Sequence, residues 1–191
     1  MIIIGVTGKI GSGKEVVSEY LKSKYDFTHY SARNYITAEV LKKNLPVNRQ
    51  TMISVANEIR ASKHPGFIIE ELYNMAVVNK KDSVIESIRT LGEIETLKSK
   101  GSFYLLGIEV DQKIRYERIV LRNSETDRIS FEQFKKDDDL ESTSGDPNKQ
   151  NITACIKKAD YVLNNSGTFE ELYKQVDESI EKIKTFDLKT K

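Results

Sequence analysis

Short, uniformly apolar runs alternate along the chain with longer segments whose apolar residues recur every three or four positions. Ile2–Thr7 is apolar at every position except Gly5 and Thr7, the pattern of a strand covered on both faces. Val16, Val17, Tyr20 and Leu21 place a helical stripe on Glu15–Lys24. Further strands are predicted at Phe27–Tyr30, Ser83–Ser87, Phe103–Val110 and Tyr161–Leu163. Helices are predicted at Asn34–Lys43, Arg49–Ser62, Phe67–Asn79, Leu91–Lys100, Gln112–Arg122 and Ile152–Lys158. Asn44 with Pro46, Pro65-Gly66 and Gly101 supply stop signals. Thr168 and Glu171 form a capping box for a last helix. Residues 123–150 are polar, with a charge run at 135–139 and a turn signal at Gly145-Asp146-Pro147.

Strands alternating with helices predict an α/β fold with a five-stranded parallel sheet covered on both faces. Ligands bind such sheets beyond the carboxyl ends of the strands. The first such end reads Gly8-Lys9-Ile10-Gly11-Ser12-Gly13-Lys14 and fits G-x-x-x-x-G-K. Glycines let backbone N–H groups turn inward on phosphate oxygens. The helix that follows offers unpaired amides and a positive dipole end, and Lys14 adds a mobile point charge. The alternative is a glycine-rich turn without a ligand. One position departs: Glu15 stands where a Ser or Thr hydroxyl for Mg²⁺ is expected. Mg²⁺ is then held through water or by another residue, or the loop has lost catalysis.

Arginines surround the expected crevice. Arg115, Arg118 and Arg122 share one helical face, and Arg128 follows in the polar insert. Phosphoryl transfer needs positioned cations, and a mobile insert could supply them on closing. Arg49 and Arg60 share a face with Ile53 and Ala56, while Arg33 and Arg89 follow the second and third strands. Four arginines on one pocket suit an acceptor that itself carries phosphate. Stems packed at the core edge, or a solvated helix face, are the competing readings.

Glu86 ends the third strand and is the candidate for a Mg²⁺–water contact or an acceptor-activating base. Asp111 is read as a helix cap rather than a metal ligand, and Asp137–Asp139 as a solvated helix face. His29 and His64 lack zinc-ligand spacing. The 191 residues suit one α/β domain. Thirty basic and 29 acidic residues give +1, which argues against nucleic-acid binding. A single cysteine, Cys155, fits a reducing compartment. No apolar run approaches the ~20 residues of a membrane span, and a strand beginning at residue 2 leaves no room for a leader. The expectation is a cytoplasmic monomer or homodimer.

Two family resemblances follow from these motifs. VTGKIGSGK, together with Ala159–Gly167, resembles the opening loop and closing strand of dephospho-CoA kinases. Their Asp-x-Asp after the second strand is replaced here by Tyr30-Ser31-Ala32-Arg33. An acidic residue after the loop lysine, and Glu86-Ser87-Ile88-Arg89 followed by Glu93, resemble deoxynucleoside monophosphate kinases. Both belong to the P-loop nucleoside and nucleotide kinase superfamily. The resemblance implies ATP and Mg²⁺ as cofactors and γ-phosphate transfer to a (deoxy)nucleoside monophosphate, with dephospho-CoA as the alternative acceptor. It implies one domain over 1–191, an acceptor-binding helical region at 31–80 and a lid at 123–150. ATP falls to Gly8–Glu15, Arg118 and Asn165, catalysis to Lys14, Glu86, Arg122 and Arg128, and the acceptor to Arg33, Arg49, Arg60 and Arg89. A third reading is an ATP-binding regulatory protein with little turnover.

Overall fold

The computed structural model describes residues 1–122, 129–146 and 148–189. Five strands, β1 (Ile3–Gly8), β2 (Thr28–Ser31), β3 (Ser83–Glu86), β4 (Phe103–Glu109) and β5 (Tyr161–Asn164), form one sheet in the order β2-β3-β1-β4-β5. Every adjacent pair is parallel, as the alternation of elements predicts. β1 lies at the centre, with Val6 opposite both Glu86 and Leu106. Its apolar continuity has a direct cause. Ile3 joins a core on one face, with Ile85 and Leu105. Ile2, Ile4 and Val6 join a second core on the other, with Val84, Leu106 and Ile108.

The first core is closed by α2 (Ala32–Lys42), α3 (Arg49–Ser62), α4 (Phe67–Asn79), α5 (Leu91–Lys98) and α8 (Ile152–Lys157). The second is closed by α1 (Lys14–Tyr25) and the long α9 (Phe169–Lys189). The caps are those the residue types dictate. Thr168 Oγ1 accepts from the Glu171 amide at 3.2 Å, and Glu171 accepts in return from the Thr168 amide at 2.9 Å. Asp111 accepts from the Lys113 amide at 2.8 Å, at the start of α6 (Gln112–Arg122). Among the described residues, no helix is long and apolar enough to cross a membrane.

The polar stretch after α6 holds a helix that its composition hides. α7 (Phe131–Ser142) is capped by Ser130, whose Oγ accepts from the Gln133 amide at 3.2 Å. Phe134, fully buried, anchors it against Tyr116 of α6, whose ring Phe131 also meets. Asp138 lies on the same side, one turn on, and is buried too. The expectation of a solvated face at Asp137–Asp139 is therefore corrected at Asp138. Nearby charge makes the difference: Arg115 on α6 meets it with two hydrogen bonds.

Candidate functional site

A cleft of about 630 Å³ opens beyond the carboxyl ends of β1, β2 and β3. Its floor is the loop from Gly8 to Lys14. Gly11 and Gly13 take φ of +75° and +91°, a left-handed backbone that favours glycine. Gly13 caps α1 without any side-chain hydrogen bond, so the helix start keeps unpaired amides for an anion. Lys14 folds back over the loop, its Nζ donating to the Gly8 carbonyl at 2.8 Å and the Lys9 carbonyl at 3.0 Å. Burial, and then the charge of Arg89, lower the Lys14 ammonium to about 8, against the opposing pull of Glu86 and Glu141.

The far side of the loop is held by Asn165. Its Nδ2 donates to the Ser12 carbonyl at 2.8 Å, and its own carbonyl accepts from Arg118 Nη2 at 2.8 Å. Among the described residues, Arg118 Nη1 and Ser12 Oγ are buried without a hydrogen-bond partner. Buried polar groups are rarely left unpaired, so these two favour an oxygen-rich ligand beside the loop. Phosphates fit that donor set.

Arg115 does a different job from the one its spacing suggests. It is buried, pairs with Asp138 at 2.7 and 2.8 Å, and donates through Nη1 to the Ile10 carbonyl at 3.1 Å. Burial pushes the Asp138 carboxyl up, but the hydrogen bonds and charge of Arg115 outweigh it and hold Asp138 below its ordinary value. Arg115 thus props the loop from behind, while Arg118 and Arg122 line the cleft. Arg128 lies outside the described residues.

On the opposite wall, Arg33, Arg49 and Arg89 line the cleft, with Arg33 exposed at its rim. Arg60 also reaches it but is spent elsewhere. Its Nε and Nη2 grip Glu93 Oε1 at 3.1 and 2.9 Å, with both side chains buried. Glu93 Oε2 accepts in turn from the amides of Arg89 and Thr90 at 2.7 and 3.1 Å. Through Glu93, Arg60 supports the Arg89 backbone while also lining the cleft on the wall expected to hold the acceptor. Glu141 bridges the other pair: Arg49 Nη2 donates to Oε1 at 2.7 Å, and Arg89 Nη1 lies 3.4 Å from Oε2. Arg89 Nη1 also donates to Gln150 Oε1 at 2.8 Å.

Glu86 faces the cleft from the end of β3. Its Oε2 lies 3.0 Å from His29 Nε2, and its Oε1 accepts from Ser87 Oγ at 3.1 Å. Burial raises the Glu86 carboxyl, but the His29 hydrogen bond and then the Lys14 charge bring it below its ordinary value. His29 is raised in return, chiefly by that same bond. Glu15, in the first turn of α1, is exposed. Among the described residues no three His, Cys, Asp or Glu side chains cluster as a metal site. The donor set fits Mg²⁺ held through water at Glu86 rather than a cage of direct protein ligands.

Sequence reasoning gave no place in the site to His29, Asp138 or Glu141. Phe134, Asp138 and Glu141 stand at i, i+4 and i+7, a single-face pattern that could have marked the last two. His29 carries no such signal, because its partner is 57 residues away.

Comparison with known proteins agrees with this architecture. A UPF0200 protein of Methanococcus maripaludis is 27% identical over 190 residues, covering 96% of this chain and 98% of that one. A UPF0200 protein of Pyrobaculum aerophilum is 27% identical over 176 residues, covering 91% and 94%. Among solved structures, TT1252 from Thermus thermophilus superposes with a TM-score of 0.63 at 19% identity, over 95% and 97% of the two chains. Shikimate kinase from Bacteroides thetaiotaomicron gives 0.59 at 12% identity, over 96% and 98%. At those identities the structures speak for the fold alone. The AAA_18 family, described as an AAA domain, matches residues 4–142. With more than half of the chain matched by that model, and with solved structures of the same parallel-sheet fold, the chain belongs to the AAA_18 family.

Proposed function

We propose that the protein is an ATP-dependent phosphotransferase acting on a small anionic acceptor, with a (deoxy)nucleoside monophosphate as the favoured acceptor. One observation carries the reading. A single cleft joins the loop lysine, the Glu86 carboxylate and the Arg49–Arg89 pair, so a triphosphate donor and an anionic acceptor would meet between them. Lys14 and the loop amides would hold the β- and γ-phosphates, and Arg118 and Arg122 would neutralise the transferring group, with Arg128 as a further candidate. Arg33, Arg49 and Arg89 would grip the acceptor, with Arg60 supporting Arg89 through Glu93. Bound Mg²⁺ would neutralise charge on the phosphates, and Glu86 would reach it through water. A monophosphate acceptor arrives already ionised and needs no base. Under this reading Glu86 serves the metal rather than proton transfer.

Dephospho-CoA, the alternative, presents a ribose hydroxyl that must lose a proton, and Glu86 would then be the base. Its main support in this chain is the similarity at Ala159–Gly167. That stretch ends beside the phosphate loop, where Asn165 holds Ser12, so it reports the donor side more than the acceptor. A regulatory ATP-binding protein with little turnover is favoured by exposed Glu15 and by the engagement of Arg49 and Arg89 with Glu141. The deciding experiment measures ADP release with each nucleoside monophosphate, each deoxynucleotide and dephospho-CoA. Activity with monophosphates is expected. Activity confined to dephospho-CoA would promote the alternative, and none with any acceptor would favour the regulatory protein.

A further inference from the structure

The Arg49–Arg89 pair is engaged in an unusual way. Both residues come from the body of the protein, Arg49 from α3 and Arg89 from the segment after β3. The carboxylate between them comes from α7, 92 residues from Arg49 in sequence. Arg49 offers Nε and Nη2 to the same oxygen, at 3.1 and 2.7 Å. The other oxygen faces Arg89 Nη1. Glu141 is only 11% exposed, against 22% and 28% for its partners. A carboxylate gripped by two guanidinium groups at the wall of a ligand cleft has the chemistry of a bound anion. It is one supplied by the chain itself.

The rest of α7 explains why that anion can be released. One turn earlier Asp138 pins the helix to Arg115, with Phe134 buried beneath it. Beyond Ser142 the chain returns to Arg89: Gln150 accepts from its side chain, and the Asn151 amide donates to its carbonyl at 2.8 Å. Glu141 is held between these two anchors, so the last turn of α7, which carries it, can open while Asp138 keeps the rest of the helix attached.

We infer that Glu141 is a specificity-determining residue that occupies the acceptor-anion subsite of the free protein, and that an acceptor enters by displacing it with a phosphate group. The inference rests on the phosphotransferase reading above and deepens it by naming the group exchanged. A monocarboxylate gains little by replacing a carboxylate already in place. A phosphate brings more charge and a third oxygen to the same two guanidinium groups, so the internal carboxylate selects for phosphorylated acceptors. The cost to any entrant is set by the closed fraction. Apparent affinity falls by the fraction of molecules with the subsite open, so a plug closed about nine-tenths of the time weakens binding about tenfold.

Inorganic phosphate is the probe, titrated by calorimetry with ADP present to occupy the loop, into wild type, Glu141→Gln and Arg49→Gln. The phosphate isotherms are compared whether or not ADP binds, because the Arg49→Gln difference isolates the pair. Glu141→Gln should bind phosphate about tenfold more tightly than wild type, and Arg49→Gln should lose that site. Hydrogen exchange on the unaltered protein gives an independent reading. Added phosphate should raise exchange in the carboxyl-terminal half of α7. Equal phosphate affinity in Glu141→Gln and wild type, or unchanged α7 exchange at saturating phosphate, would overturn the plug. Failure of ADP to bind, with the Arg49-dependent phosphate site intact, would instead count against the donor-site reading and leave the plug standing.

Discussion

Replacing Asp138 by Ala should destabilise the protein heavily, and the structure says by how much. The side chain makes three hydrogen bonds to charged or polar partners: Arg115 Nη1 at 2.7 Å, Arg115 Nη2 at 2.8 Å and Gln112 Nε2 at 3.1 Å. Both members of the ion pair are buried, at 2% and 3% exposure. Truncating one partner of such a pair leaves an uncompensated buried charge, at about 3–5 kcal/mol. Arg115 keeps two carbonyl contacts, to Ile10 and Val110, which favours the lower half of that range. For a chain of 191 residues the unfolding entropy is about 0.4 kcal/mol per kelvin, so the melting point should fall by roughly 8–10 °C. A local escape sets a ceiling: α7 can detach and let water reach Arg115, so the loss cannot exceed the docking energy of that helix. The assay is urea unfolding of Asp138→Ala, Arg115→Met and the pair Arg115→Met/Asp138→Leu, with hydrogen exchange on α7. The double replacement should recover most of the loss, because charge-free packing is often neutral against a buried pair. A single-variant loss below about 1 kcal/mol, or a double variant whose losses simply add, would refute the reasoning.

Other predictions follow from the cleft. Lys14→Ala should lose a charge-assisted phosphate contact, weakening ATP binding by roughly 1.5–3 kcal/mol; equal calorimetric affinity in mutant and wild type would remove the loop as the donor site. With Lys14 titrating at about 8 in the free protein, a bound triphosphate should raise it, so affinity should hold below about pH 8 and fall as pH rises through that value. In the free protein the depressed lysine acts oppositely. Above pH 8 the unfolded chain binds more protons at this group, so its contribution to stability grows with pH; calorimetry in buffers of different ionisation enthalpy checks the proton uptake. Glu86→Gln should raise the Mg²⁺ requirement while turnover recovers at saturating Mg²⁺; a loss of about 10²–10⁴ in kcat at every Mg²⁺ concentration would make Glu86 a base and favour a hydroxyl acceptor. Glu15→Ser should keep Mg²⁺-dependent ATP binding, and lost turnover with intact binding would give Glu15 a catalytic part.

The sheet and its helices were readable because burial on two faces writes itself into a local pattern. β1 needs apolar residues at both alternate positions, and the two cores use them. The phosphate loop was readable because its geometry demands glycine at fixed spacing. The supports around the site were hidden, since ion pairs between distant elements leave no periodic trace. Arg60 shows this: its place on the polar-apolar boundary of α3 suited a ligand contact, yet Glu93, 33 residues on, takes its guanidinium. Arg115 shares a face with Arg118, but Asp138 of α7 takes the first while the second reaches the Asn165 carbonyl. Cys155, buried with its thiol raised to about 12 by burial, is an inert core residue.

Ser87 closes β3 at φ +72°, buried and without the freedom of glycine. The bend lets two successive amides, of Ser87 and Ile88, converge on the single carbonyl of Val6 at 3.0 and 3.1 Å. It lies between Glu86 and Arg89, both of which line the cleft. Such a backbone conformation costs of order 1–3 kcal/mol in a residue with a side chain. Glycine here would relax the backbone and delete the hydroxyl that steadies Glu86. The chain therefore stands below the greatest thermal resistance its fold permits, and part of that shortfall lies in one peptide unit, where the path of the strand becomes the shape of the cleft.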